Sequence, residues 1–160
     1  MATHKLYIGE FDDVDYELVA IHTSLEDYRL AYFLNQKLPI LLSKSKNEIQ
    51  ITVKEGETHF SRYIFEEIEI DSYWNLIQNK NEVIVQKKDN QQNLFADTSM
   101  EVSTKVYLLP ELKKVDFFLK IENAEVDIEE ITTKINTIDR ISAVYKVDND
   151  QIKSKNNLIF

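Results

Sequence analysis

Few side chains in this sequence have types and spacing suited to chemistry. His4, His22 and His59 are the only histidines, and they stand far apart with no H-x-x-x-H spacing. A metal site built on them would need carboxylates to fill it, since zinc sites draw on closely spaced His and Cys. There is no Cys, which removes disulfides, thiolate ligands and cysteine nucleophiles and fits a reducing compartment. Asp12-Asp13-x-Asp15 begins like a calcium loop but lacks the glycine and the glutamate at the required offsets, so it reads as a solvated acidic turn. Glu66-Glu67-x-Glu69 offers paired carboxylates for acid/base work. On a strand, Glu67 and Glu69 share one face and Glu66 points away, which describes a wet sheet face. Gly9 and Gly56 are the only glycines, so neither a phosphate-cradling loop nor a nucleophile elbow is present. No catalytic residue, metal ligand or cofactor is assigned on these grounds.

Two places remain. His22 closes an apolar run just before a helix start, where ligands of α/β sheets often sit. With Thr23, Ser24 and Arg29 it forms a set that can hold a small anion. The plainer account is a helix cap with an exposed histidine beside Glu26. The second place is Leu109-Pro110-Glu111-Leu112-Lys113-Lys114-Val115-Asp116-Phe117. Pro110 suits the first position of a turn leaving a strand over 105–109, because it has no N–H to donate. Glu111 falls in the first helical turn and can meet Lys114 at i+3. A polar site made by Glu111 and Asp116 needs a facing partner, for which Arg29 and His22 are the candidates. The plainer account is a shaped turn, with Asp116 capping or pairing nearby.

This nine-residue stretch resembles the signature of the IPExxxVDY family, found in bacteria of the Bacteroidetes group. Pro110, Glu111, Val115 and Asp116 match; Leu109 replaces the family's Ile, and Phe117 its final Tyr. The lost hydroxyl argues against tyrosine chemistry at the motif. The block Tyr16 to Leu34 is also similar to the family's N-terminal region. The resemblance implies a protein of about this length and assigns it no activity.

Charge bounds the partners. Asp and Glu number 28 against 19 Lys and Arg, a formal charge of -9 over 160 residues. Within residues 1–30, seven acids face only Lys5 and Arg29. Broad phosphate-backbone binding needs clustered cations, so nucleic acid is not an expected partner. No apolar stretch has the length of a signal peptide or a membrane span, so the expectation is a cytoplasmic protein with no membrane partner. The hydrophobic fraction of 43% with 29% charged residues reads as globular.

The elements that must position these residues follow from periodicity. Residues 16–23 read as a strand. A helix follows, capped by Thr23 or Ser24 with Glu26 or Asp27 three positions on, the Thr23/Glu26 pairing fitting a capping box better, and with Leu25, Tyr28, Tyr32 and Leu38 near one face, Ala31 and Leu34 beside it. Pro39 ends it. Ile49, Ile51 and Val53 alternate with polar residues, and Gly56 marks a turn. Phe60 to Ile70 reads as a long extended run broken by a bulge, a bend or an exposed end. Asp71-Ser72 turns the chain into Tyr73 to Gln78, and Asn79-Lys80-Asn81 looks like a hairpin loop. Residues 88–101 look loop-like, pegged by Leu94 and Phe95. Val115, Phe117, Leu119 and Ile121 give a strand with one strongly apolar face. Asp127 caps a helix whose Ile128, Ile131, Ile135 and Ile138 form a stripe, and Ile141 to Val147 is a further strand. Tyr63, Phe65 and Trp74 are core residues or an exposed aromatic platform.

Strand, helix, strand with short joins is a crossover unit, and Tyr16 to Val53 suggests a second. The expected fold is α+β: one domain over 1–150, mainly antiparallel, with two helices on one sheet face in a ferredoxin-like elaboration, and a tail over 151–160 that is frayed or docked. The lack of a catalytic signature and the abundance of aromatic strand positions favour a non-enzymatic protein-interaction or scaffold domain with a protein partner. The alternative is an ACT-like module holding a small-molecule ligand between two domains of a homodimer. An enzyme using Glu111, Asp116 or His22 ranks third.

Overall fold

The computed structural model describes residues 15–87 and 100–160. Leu94 and Phe95, the expected pegs, lie outside the described residues. The elements in chain order are β1 (Tyr16–Thr23), α1 (Asp27–Lys37), β2 (Ser43–Lys44), β3 (Ile49–Val53), β4 (Gly56–Phe60), β5 (Arg62–Glu67), β6 (Ser72–Gln78), β7 (Lys80–Lys87), β8 (Met100–Tyr107), β9 (Phe117–Glu122), α2 (Ile128–Asn136) and β10 (Ile141–Lys146).

The main sheet runs β10-β1-β9-β6-β5-β2, and every neighbouring pair is antiparallel. β9 and β10 flank β1, so they run parallel to each other and α2 carries the chain across β1. By the same alternation β1 runs parallel to β6, with β9 between them. The order β10-β1-β9-β6, with α1 following β1 and α2 following β9, is the split βαβ arrangement of ferredoxin-like folds. The elaboration fills the two other joins. Between α1 and β6 lie β2, the β3–β4 hairpin and β5; between β6 and β9 lies the β7–β8 hairpin. The first crossover therefore does not end at Val53, because β3 leaves the main sheet and pairs only with β4.

Both sheet faces are covered. On one, α1 and α2 pack Leu30, Ala31, Leu34, Ile131 and Ile135 onto Val19, Ile21, Trp74, Leu76, Leu119 and Ile121. On the other, Leu18, Ala20, Ile77 and Phe118 meet Phe60, Val83, Val106, Leu108, Leu109 and Val115. This second cover explains why β9 is buried on both faces from Phe117 to Ile121 rather than on one.

Local rules placed α2 correctly. The Asp127 side chain accepts from the Glu129 N–H, and Ile131, Ile135 and Ile138 are buried. Helix α1 differs from expectation. Its N-cap is Glu26, with no side-chain cap, and its buried face is Leu30, Ala31 and Leu34. Tyr28 and Tyr32 point outward, 58% and 59% exposed. Thr23 is too far back to cap, because Ser24 and Leu25 first carry the chain over the sheet edge. Its hydroxyl accepts from the Leu25 N–H and donates to the Arg140 carbonyl. Tyr63 and Trp74 are buried, so no aromatic platform forms there.

The run from Phe60 to Ile70 breaks at Ser61 and again at a 3-10 turn over Ile68–Ile70, leaving Ile68 and Ile70 in solvent. Asp71 follows in the left-handed region, φ 56°, which a short acidic side chain tolerates. Asn79-Lys80-Asn81 is not a hairpin loop. β7 begins at Lys80 and pairs with β8, while Asn79 is buried completely.

Candidate functional site

The motif residues are organised by Asn79, which sequence reasoning placed in a loop. Its side-chain N–H groups donate to the carbonyls of Leu112 and Val115 at 2.9 and 2.8 Å, and its Oδ1 accepts from the Leu109 N–H at 2.9 Å. Its own N–H reaches the Asp116 carbonyl, and its carbonyl accepts from Leu108. A buried backbone that leaves the sheet needs such partners for its polar groups. One amide thus holds the whole stretch from Leu108 to Asp116 against the end of β6.

Pro110 opens a 3-10 turn over Pro110–Leu112, as its missing N–H suits. Glu111 turns toward the chain's last segment. Its Oε1 accepts from the N–H groups of Lys153 and Ser154 at 2.9 and 2.8 Å, and its Oε2 from the Ser154 hydroxyl at 3.0 Å. Partial burial raises its pKa, but those bonds, with its own N–H, outweigh that and hold it below the usual carboxylate range. Asp116 faces elsewhere. Its Oδ2 accepts from the Thr23 N–H at 2.9 Å and its Oδ1 pairs with Lys80 Nζ at 2.8 Å. Its N–H reaches the Ile21 carbonyl, so it prolongs the β1–β9 ladder. Glu111 and Asp116 share no partner, and neither Arg29 nor His22 faces them. His22 lies on the sheet face of Leu18 and Ala20 by strand alternation. There its Nε2 meets the Tyr145 hydroxyl at 2.9 Å, with ring centroids 5.5 Å apart. Arg29 sits on α1, over the opposite face, beside Glu26 at 3.7 Å.

Arg29 does border a cavity of about 670 Å³ between α1 and the turn after α2, lined by Leu25, Tyr28, Arg29, Tyr32, Phe33, Asp139 and Arg140. Leu25 and Phe33 form its apolar floor, and the two tyrosines and two arginines its exposed walls. Arg140 occupies the third position of the turn Ile138–Ile141, closed by the Ile141 N–H on the Ile138 carbonyl at 3.3 Å. Its φ is 67°, a conformation that Gly or Asn adopts most cheaply. Holding a long side chain there costs roughly 1 kcal/mol or more. Thr23 fixes the Arg140 carbonyl at 2.8 Å. Arg29 borders this cavity apart from His22 and from the motif with which the sequence grouped it, Tyr28 and Tyr32 stand on the surface rather than on the packed face, and nothing in the sequence pattern singled out Arg140. Its only sequence signal is a lone cation between Asp139 and Ile141.

The other sheet face carries a buried cation. Lys120, on central strand β9, is 5% exposed. Its Nζ donates to the Leu158 carbonyl at 2.8 Å and pairs with Glu122. The Phe160 ring lies over both Lys120 and the Arg62 guanidinium, at 4.8 and 4.6 Å. Ile152 and Leu158 are buried in the second core, and Asn157 donates to the Leu108 carbonyl at 2.7 Å. The segment after β10 is therefore docked, and Glu111 is its clasp.

Among the described residues no group of three His, Asp or Glu is placed to hold a metal, and no helix is long and apolar enough to cross a membrane. No family model matches the chain, and neither a curated protein nor a solved structure matches it.

Proposed function

We propose that this chain is a non-enzymatic protein-interaction domain that recognises its partner through the groove between α1 and the α2–β10 turn. The observation that carries this reading is Arg140, held in a left-handed backbone at the lip of the groove opposite Tyr28 and Tyr32. Strain of this kind gathers at functional positions, and exposed Tyr and Arg around an apolar floor are the residue types that dominate binding hot spots. Arg29 and Arg140 outnumber Asp139 in the lining, with Glu26 3.7 Å from Arg29, and the partner that fits presents apolar side chains between carboxylates. The oxygens of Glu111 and Asp116 are taken up by main-chain N–H groups, the Ser154 hydroxyl and Lys80, which supports structural rather than catalytic roles.

A cytoplasmic setting, supported by the absence of Cys, and membership of the IPExxxVDY family, supported by the LPELKKVDF stretch, belong to the same proposal. A second reading takes the groove as a small-ligand site, which its volume of about 670 Å³ favours.

The test is capture from native lysate by the wild type beside a Tyr28→Ala, Tyr32→Ala double variant. The expected result is a partner held by the wild type and lost by a variant that unfolds at the same denaturant concentration. Equal capture by both would overturn the reading. Saturable binding of small anionic aromatics, with no protein captured, would transfer the groove to the second one.

A further inference from the structure

A second surface on this molecule matches the groove. The turn 66–71 reads Glu66-Glu67-Ile68-Glu69-Ile70-Asp71. Ile68 is 83% exposed and Ile70 56%, each between exposed carboxylates. Isoleucine is among the residue types most often buried, and here two stand open on one turn. The turn is braced from three sides. The Asp71 N–H bonds the Ile68 carbonyl at 3.3 Å, Asn123 Nδ2 the Asp71 carbonyl at 3.2 Å, and the Tyr73 hydroxyl Asp71 Oδ1 at 2.7 Å. A braced projection loses little freedom on docking.

We propose that the occupant of the α1 groove is a second copy of this chain, which inserts Ile68 and Ile70 between Tyr28 and Tyr32 and sets its carboxylates against Arg29 and Arg140. The inference rests on the groove reading above and names its partner. Two observations unexplained separately, a strained arginine beside open tyrosines and open isoleucines among acids, become the two halves of one contact. A net charge of -9 opposes association at long range. At physiological salt that repulsion is screened beyond about 8 Å, and contact between opposite local charges decides. The halves are different surfaces, so copies meet either reciprocally across a two-fold axis or head to tail in a ring or an open array.

Sedimentation velocity on the full chain, from micromolar to millimolar concentration, tests this. The wild type is expected to gain average mass with concentration and to lose that gain as salt rises. Ile68→Glu leaves a molecule with a working groove and no working turn; Arg140→Glu leaves the reverse. Both positions are exposed, so both variants should keep the wild-type circular dichroism. Each alone should sediment as a monomer. Mixed in equal amounts they should form a one-to-one dimer and nothing larger. Self-association by either variant at the wild-type strength would overturn the proposal. So would a wild type that stays monomeric throughout. If that monomer still captures a tyrosine-dependent partner from lysate, only the second-copy assignment falls. If capture is also indifferent to the tyrosines, the groove reading falls with it.

Discussion

Asn79, Glu111 and Arg140 each do something their residue type alone does not announce. Asn79 is fully buried and satisfies two carbonyls and one N–H. Asn79→Ala strands the Val115 carbonyl and the Leu109 N–H, while the Leu112 carbonyl keeps the Val115 N–H, and each buried unsatisfied group costs about 1–3 kcal/mol. Urea unfolding should therefore show a loss of roughly 2–6 kcal/mol, large for a polar residue. Glu111 gives a pH signature. Its folded pKa is depressed, so its contribution is complete above the unfolded glutamate value of about 4.3 and is lost as pH falls through the lower folded value. The stability gap between wild type and Glu111→Gln should be constant above about pH 5 and should shrink on acidification below the unfolded value. A gap that instead widens in acid would reverse the assigned sign. Arg140→Gly removes backbone strain at φ 67°. It should raise stability by up to about 1 kcal/mol while abolishing capture of the partner, the usual conflict between a rigid scaffold and a working site.

At the level of elements, the two helices divide their labour. α2 is a packing helix. Ile135→Ala should cost about 2–5 kcal/mol, and Asp127→Ala about 0.5–2 kcal/mol through loss of the cap. α1 buries Leu30, Ala31 and Leu34, with Phe33 partly packed against the same core. Tyr28→Ala and Tyr32→Ala should each stay within about 0.5 kcal/mol of wild type in thermal unfolding. What could be read from the sequence follows this division. The isoleucine stripe and Asp127 are local signals with a single apolar phase, so the start and buried face of α2 were legible, whereas its end was not: the helix stops at Asn136 and Ile138 packs from the turn beyond it. α1 carries apolar side chains on two faces, leucines inward and tyrosines outward, and amphipathicity cannot tell the buried set from the recognition set. Strand β3 was legible from its alternation, but its pairing with β4 (Gly56–Phe60) was not, because Glu57-Thr58-His59 carries no apolar alternation to mark a strand. The β7–β8 pair was not, because Asn79 reads as a turn residue until its distant backbone partners are known. The candidate site was less legible: Arg29 stood out near a strand end but lies across the sheet from His22, and Arg140 reaches the groove only once α2 has docked.

At the level of the molecule, the docked final segment completes the second core. Among the described lysines, Lys120 should be acetylated most slowly by an amine-reactive reagent, read by mass spectrometry, since Leu158 and Phe160 cover it. Leu158→Asp should expose it and speed its labelling to the rate of surface lysines. Equal rates in both proteins would mean that the segment does not shield the sheet. The sheet order has one more consequence, felt while the chain is being made. β1 is the first described strand, yet its two neighbours are β9 and β10. Ile21 pairs with Phe117 on one side and Val144 on the other. A ribosome adds roughly 5–20 residues per second, so this apolar strand must wait on the order of 5–20 s for its first partner to be synthesised. Throughout that interval both its edges stand open, and a nascent-chain chaperone is the natural company for it.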